Sequence, residues 1–122
     1  MFLFKYSKMK SFIHAFRGIY KVIRSEKNFR IHLLAIFAVT FVGFYFSITK
    51  TEWIVIVLAM MVVVVTEMLN SAIEYLSDYA SPQYNETIKN VKDISAGSVL
   101  LAAIGALVIG IIIFFPYIKE LF

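Results

Sequence analysis

Apolar residues dominate three long stretches of the chain, and short polar segments separate them. These stretches cover residues 31–49, 52–80 and 93–115. Each is close to or above the roughly 20 residues that an α-helix needs to cross the hydrocarbon core of a bilayer. The first connection contains only a few residues, so the first two helices must form an antiparallel hairpin. The pattern therefore predicts three transmembrane helices.

Residues 4–28 form a fourth predicted helix, which is amphipathic. Its apolar residues return every three or four positions, which places them on one face. They are Met9, Phe12, Ile13, Phe16, Ile19, Tyr20 and Ile23. Basic residues lie mostly outside this face, and a helix of this kind fits the surface of an anionic leaflet. Packing of the same face on the protein's own spans is a second interpretation, and the two are compatible.

The composition excludes a soluble domain. Of the 122 residues, 61% are hydrophobic and 16% are charged, and the mean hydropathy is +0.82. Soluble domains carry about 25% charged residues. The expected fold class is therefore an all-α integral membrane protein in which residues 1–122 form one domain. The sequence contains no cysteine, so disulfides are excluded.

Positive charge is concentrated before the first span. Eight of the twelve Lys and Arg residues lie within positions 1–30, and the net charge is +4. This placement indicates a membrane-surface arm and a topology signal, and no nucleic acid is expected as a partner. The second connection carries two more basic residues, whereas the first connection and the carboxyl end carry one each. Because basic segments stay in the cytoplasm, we expect a cytoplasmic N-terminus and an extracytoplasmic C-terminus.

The second span becomes polar toward its C-terminal end. Its polar residues recur every three or four positions and share one helical face, the polar stripe. They are Glu67, Asn70, Ser71, Glu74 and Asp78. With a rise of about 1.5 Å per residue, Glu67 lies about 21 Å from Trp53 and therefore inside the hydrocarbon, while Glu74 lies near the interface. Carboxylates are costly in hydrocarbon unless they are neutral, paired or cation-bound, so the polar stripe predicts the functional site.

The two glutamates favour different roles because they lie at different depths. Poor hydration destabilises the charged carboxylate of Glu67 and so makes it a stronger proton acceptor. Glu67 can therefore act as a general base near neutral pH. Glu74 and Glu26 lie closer to water and suit Mg²⁺, which binds one or two carboxylates together with phosphate oxygens. The chain has no Gly-rich phosphate-binding loop, so a phosphate would need the metal and a cation such as Lys92.

Simpler interpretations exist for each of these residues. The polar stripe could join helices through mutual hydrogen bonds, Glu26 could be a surface charge, and Asp93 could cap the third span. A transporter or proton relay also uses intramembrane carboxylates, but it needs them throughout the membrane depth. The first span has no acid, and the third has none in its interior. The two histidines, His14 and His32, lack the spacing of a zinc site.

Three short motifs in the chain carry a resemblance to a known family, both in their residues and in the number of residues between them. They are Glu67-Met-Leu-Asn70-Ser71-Ala72-Ile73-Glu74 with Asp78, Glu26-Lys-Asn-Phe29-Arg30, and Lys92-Asp93. In these motifs the chain resembles the prokaryotic diacylglycerol kinase family, and in particular its undecaprenol kinase branch from Gram-positive bacteria. The resemblance covers essentially the whole chain. It implies a homotrimer in the bacterial plasma membrane that uses ATP and Mg²⁺ to phosphorylate a lipid alcohol.

The resemblance also implies roles for individual residues. Glu67 would be the general base, and Glu26 and Glu74 would bind Mg²⁺ and the phosphates of ATP. The other expected ATP contacts are Lys92, Asp93, Tyr84, Asn85 and His14. The expected substrate contacts are Glu67, Asn70, Ser71 and Arg30. The implied substrate is undecaprenol, with diacylglycerol as the alternative. A small carboxylate-based transporter or a membrane assembly subunit is the alternative from another class.

Overall fold

The computed structural model describes residues 8–122, and four α-helices make up most of this part of the chain. They are α1 (Lys8–Ser25), α2 (Lys27–Phe46), α3 (Lys50–Ala80) and α4 (Glu86–Lys119). No strand occurs among these residues. Helices α2, α3 and α4 are long and apolar enough to cross a membrane, which confirms the predicted all-α membrane fold. Residues 4–7 of the predicted surface helix lie outside the described part.

Helix α1 keeps its apolar face largely uncovered by the rest of the chain. Phe12 and Phe16 are 65% and 68% exposed, whereas Val22 near the end of the helix is buried. One contact with α3 joins Tyr75 Oη to Ser25 Oγ at 3.5 Å. The apolar face is therefore available to a lipid surface, as the amphipathic pattern predicts.

A single extended residue, Glu26, separates α1 from α2 (φ −111°, ψ 110°). Arg30 stabilises this joint, because its Nη1 donates to the carbonyl oxygens of Ile23 and Arg24, each at 2.9 Å. Carbonyls in the last turn of a helix have no partner within it. Phe29, which is 2% exposed, anchors the first turn of α2. As a result Glu26 is held at the N-terminus of α2, which begins before the predicted span.

The turn between α2 and α3 depends on local backbone and packing features. Ser47 ends α2 in the left-handed conformation, with φ 51°. A capping box then begins α3: Thr49 Oγ1 accepts from the N–H of Glu52 at 3.2 Å, and Glu52 Oε1 accepts from the N–H of Thr49 at 2.9 Å. Trp53 lies so close to Gly43 that a Cβ there would be 2.6 Å from the indole ring. A larger residue at position 43 would force the indole ring to move.

Helices α3 and α4 form the most extensive helix pair. An apolar core lies near the α2–α3 turn and contains Ile48, Ile56, Ile113 and Phe114. At the other end, Asn85 Oδ1 begins α4 by accepting from the N–H of Ile88 at 3.1 Å. The helix therefore starts at Glu86, before the predicted residue 93. The interpretation of Asp93 as a helix cap is wrong, since this residue lies within α4.

The predicted end of the third span at residue 115 is also wrong, because α4 continues through Pro116 to Lys119. Proline lacks the N–H of the helical hydrogen bond and usually ends or kinks a helix. Here the ring of Tyr117 stacks on Phe46 at a centroid distance of 5.6 Å, and its hydroxyl donates to Glu52 Oε1. These contacts hold the last turn of α4 against the α2–α3 turn.

Candidate active site

The polar stripe of α3 continues the buried face of that helix. Ile56, Val63, Glu67 and Ser71 follow one another at intervals of seven or four residues, and all are at most 7% exposed. Such intervals keep residues on one side of a helix. The face that packs in the apolar core thus carries a carboxylate and a hydroxyl further along. This arrangement places a buried acid inside the bundle.

A polar cavity of about 150 Å³ lies where α2, α3 and α4 meet. It is lined by Glu26, Asn28, Phe29, Glu67, Asn70, Ser71, Glu74, Ala96 and Val99. The extended joint brings Glu26 to the start of α2, and the stripe residues reach the cavity from α3. Helix α4 contributes only apolar side chains. The structure therefore brings together five of the predicted site residues, which are Glu26, Glu67, Asn70, Ser71 and Glu74.

Three carboxylates lie around the polar cavity, and their charges are only partly balanced. Glu26 interacts electrostatically with both Glu67 and Glu74, and like charges this close repel each other. Lys92 attracts Glu74, and the imidazole Nε2 of His32 lies 3.4 Å from Glu67 Oε1. The excess of negative charge favours the uptake of a proton or a cation.

Two acceptor atoms in the polar cavity are buried without a hydrogen-bond partner among the described residues. They are Glu67 Oε2 and Asn70 Oδ1. Buried polar atoms of this kind are uncommon and costly, so they point to a bound group that would pair with them. Within residues 8–122, no three His, Cys, Asp or Glu side chains are grouped to hold a metal ion. A metal in this cavity would therefore need further ligands from a substrate.

Lys92 and Asp93 lie next to each other on α4 but make different contacts. Lys92 Nζ is 2.5 Å from Asp78 Oδ1 of α3, which links the two helices beside Glu74. Asp93 accepts from Lys89 at 2.6 Å one turn earlier on α4, and its side chain is exposed. Lys92 is thus close enough to Glu74 to attract it, whereas Asp93 pairs within α4. Neither residue is among those that line the polar cavity.

Four other predicted contacts also lie outside the polar cavity. Arg30 is engaged at the joint between α1 and α2, and Asn85 caps α4. Tyr84 is 81% exposed in the connection between α3 and α4, and His14 is exposed on α1. The position of Asn85, three residues before Ile88, is a common capping pattern that sequence reasoning could have recognised.

His32 is a site residue that the sequence interpretation missed. An apolar groove of about 450 Å³ runs between α2, α3 and α4, and His32 is the one polar side chain among the described residues that line it. The other lining residues are apolar or small, and Val63 is among them. His32 therefore borders the groove and contacts Glu67. Its position three residues after Phe29 puts both on one face of α2, but only the structure shows that Phe29 is buried and that this face meets Glu67.

Several known proteins have related sequences. The sequence model of the prokaryotic diacylglycerol kinase family matches residues 13–114. The undecaprenol kinase of Bacillus subtilis (strain 168) is 38% identical over 107 residues, which cover 88% of this chain and 87% of that protein. A diacylglycerol kinase of Synechocystis sp. is 34% identical over 112 residues, which cover 91% of this chain and 64% of that protein. A diacylglycerol kinase of Escherichia coli (strain K12) is 25% identical over 95 residues, or 78% of each chain. Because the family match spans most of its length, this chain belongs to the prokaryotic diacylglycerol kinase family.

Proposed function

We propose that this protein is an ATP-dependent undecaprenol kinase, which phosphorylates a lipid alcohol in the membrane to undecaprenyl phosphate. The observation that carries the proposal is the buried Glu67, whose Oε2 has no partner among the described residues. The similarity to the undecaprenol kinase of Bacillus subtilis supports the choice of lipid. Diacylglycerol is the second candidate, because other relatives are named as diacylglycerol kinases.

The apolar groove and the polar cavity suit the two parts of a lipid alcohol. Apolar and small side chains from three helices line the groove, so hydrocarbon next to the hydroxyl would be shielded from water there. Val63 lines the groove, and Glu67, one turn further along α3, lines the polar cavity. A hydroxyl at the end of this hydrocarbon would therefore meet the Glu67 carboxylate.

In the proposed reaction Glu67 is the general base. Its Oε2 accepts the hydroxyl proton while the alcohol oxygen forms a bond to the γ-phosphorus of ATP. The bond from this phosphorus to the β,γ-bridging oxygen breaks, and ADP leaves with the electron pair. Asn70 and Ser71, in the same cavity, would orient the hydroxyl through hydrogen bonds. After the product leaves, Glu67 returns the proton to water.

Glu26 and Glu74 have the chemistry of Mg²⁺ ligands. Glu74 belongs to α3 and Glu26 to the extended joint between α1 and α2, and the two carboxylates lie close enough to interact. Mg²⁺ usually takes one or two protein carboxylates and obtains its other ligands from phosphates and water. Two glutamates without a third protein ligand fit this pattern. When bound, the ion would supply positive charge to the phosphates of ATP, and Lys92 would add to it.

We also propose that the protein is a homotrimer with its active sites between protomers. The nucleotide contacts implied by the resemblance, Asp93, Tyr84, Asn85 and His14, lie outside the polar cavity. They would reach ATP where it extends beyond that cavity or where it binds in a neighbouring copy. A face of small residues on α4 allows close packing of another helix. It contains Ser98, Ala102, Ala106 and Gly110, of which the last two also line the apolar groove. Light scattering of the detergent-solubilised complex tests this state, for which three chain masses are expected.

Turnover of two lipids in one mixed-micelle preparation tests the function. With radiolabelled ATP and Mg²⁺, we expect the purified protein to phosphorylate undecaprenol faster than diacylglycerol at equal mole fraction. A clear preference for diacylglycerol would overturn the proposed lipid substrate but not the proposed lipid kinase activity. Absence of ATP consumption with either lipid would overturn the kinase and favour the transporter or assembly subunit.

A further inference from the structure

His32 lies where the apolar groove and the polar cavity approach each other. It is half-buried on α2, three residues after the buried Phe29. Its side chain lines the groove, and its Nε2 is 3.4 Å from Glu67 Oε1. No other residue in the described part of the chain combines these two contacts. The resemblance to lipid kinases assigns no role to this histidine.

The two carboxylate oxygens of Glu67 have different surroundings. Oε1 faces the imidazole of His32, whereas Oε2 is buried without a partner among residues 8–122. The last torsion of a glutamate side chain has a broad energy profile, so the carboxylate can rotate unless one oxygen is held. A donor on Oε1 therefore decides which oxygen is directed toward the reacting hydroxyl.

We propose that His32 is a positioning residue, which donates from Nε2 to Glu67 Oε1 and thereby presents Oε2 to the hydroxyl of the lipid alcohol. This inference rests on the proposed function, because it takes Glu67 as the general base. The separation of 3.4 Å is longer than a strong hydrogen bond. Contacts of catalytic groups are often long in structures without substrate and shorten when substrate binds.

A packing role and a positioning role of His32 predict different orders of activity among substitutions at this residue. If His32 only filled space beside the groove, leucine would replace it well, because an apolar side chain needs no hydrogen-bond partner there. If His32 holds Glu67, glutamine is the better replacement, because its amide nitrogen can lie near the position of Nε2 and donate. Asparagine is equally polar, but its shorter side chain places the amide near the position of His32 Nδ1, too far from Glu67 to donate to it.

Kinetics of His32→Leu, His32→Gln and His32→Asn with undecaprenol and ATP test this role. We expect His32→Leu and His32→Asn to lower kcat by about 10- to 100-fold, since a misplacement of about 1 Å can cost about 100-fold. The KM for ATP should stay the same, and His32→Gln should keep most of the activity. Thr40→Val is the matched control, because it removes a polar group from α2 that bonds only the Ile36 carbonyl among the described residues. It should behave as the wild type.

A double variant shows whether His32 acts through Glu67. In the Glu67→Gln background we expect His32→Leu to cause no further loss of the residual rate, because the group it positions is already changed. Equal losses in both backgrounds, or a glutamine variant no better than asparagine, would overturn the proposal. If the wild type phosphorylates no lipid alcohol, the proposed function fails. If the wild type is active and His32→Leu matches it, the role of His32 fails alone.

Discussion

Glu67 and Glu74 lie on the same face of α3, two helical turns apart, but in different surroundings. Glu67 is buried next to His32, whereas Glu74 is less deeply buried and is attracted by Lys92. Glu26 reaches the same cavity from the joint between α1 and α2. At the scale of single residues, the groups next to each carboxylate therefore determine its proposed role. Two substitutions separate the proposed roles.

Glu67→Gln should nearly abolish turnover and leave ATP binding intact. Glutamine keeps the size of the side chain but cannot accept the hydroxyl proton, and a general base contributes about 100- to 10,000-fold to a rate. Initial rates with undecaprenol and the affinity for ATP measure the two effects separately. Glu120→Gln, at the exposed carboxyl end, is the control and should have no effect. Equal loss of turnover and ATP affinity would make Glu67 a ligand instead.

Glu74→Gln should weaken ATP binding that depends on Mg²⁺. The amide lacks the charge of a carboxylate, which is the ligand type that Mg²⁺ prefers. The measurement is a titration of ATP binding at several Mg²⁺ concentrations, in which the variant should need more of the metal to reach the same affinity. The same affinity at every metal concentration would remove Glu74 from the set of metal ligands.

At the scale of secondary structure elements, the two ends of α3 are fixed in different ways. Its N-terminus has the Thr49–Glu52 capping box, and Glu52 also accepts from Tyr117 of α4. Near its C-terminus, Asp78 pairs with Lys92 of α4. Both ends of the α3–α4 pair are thus joined by polar contacts. The α2–α3 turn also depends on the close approach of Trp53 to Gly43.

Gly43→Ala should destabilise the α2–α3 hairpin. A Cβ at this position would lie 2.6 Å from one indole carbon and 2.9 Å from another, so the ring must move. Overpacking of this kind costs about 1–3 kcal/mol of unfolding free energy. Thermal unfolding in detergent should show a lower Tm. Gly18→Ala on α1 is the matched control, because a Cβ there meets no atom within 4 Å. A similar Tm for both variants would contradict this account of the turn.

At the scale of the whole molecule, the functional groups gather at one end of the helix bundle. The joint between α1 and α2, the polar cavity and the α3–α4 connection lie there, and the contact of Tyr75 with Ser25 holds the end of α1 nearby. The apolar core around Ile56 and Phe114 lies toward the α2–α3 turn. We propose that the polar end faces the cytoplasm, where ATP is present, with the C-terminus outside the cell.

Single cysteines report this orientation directly, because the natural sequence has none. The two variants are Gln83→Cys, in the exposed connection between α3 and α4, and Glu120→Cys, near the carboxyl end. A membrane-impermeant thiol reagent added to intact cells should label position 120, and position 83 only after the cells are permeabilised. The reverse pattern would contradict the proposed topology. Both variants should retain kinase activity, which verifies that the labelled protein is folded.

The fold was more predictable than the contacts within the site. Hydrophobic pattern alone predicted the number of membrane helices, because a span must be apolar over a fixed length. The residues at which the helices begin and end were harder to predict from the sequence. The cap at Asn85 and the packing of Tyr117 after Pro116 extend α4 in both directions, and the second of these depends on residues distant in sequence. Likewise, the guanidinium of Arg30 bonds the end of α1, which the motif around it did not indicate.

The sequence by itself determined the membrane class, the four helices and the face of α3 that carries Glu67 and Glu74, because these follow from periodicity along one helix. Only the tertiary structure decided which other groups meet that face. It placed Glu26 in the polar cavity through a one-residue joint, brought His32 of α2 to Glu67, and left Asp93 outside. The physical reason is that contacts between helices depend on their relative placement, which caps, turns and packing set. The proposed base is thus evident in the sequence, whereas the group that would position it is not.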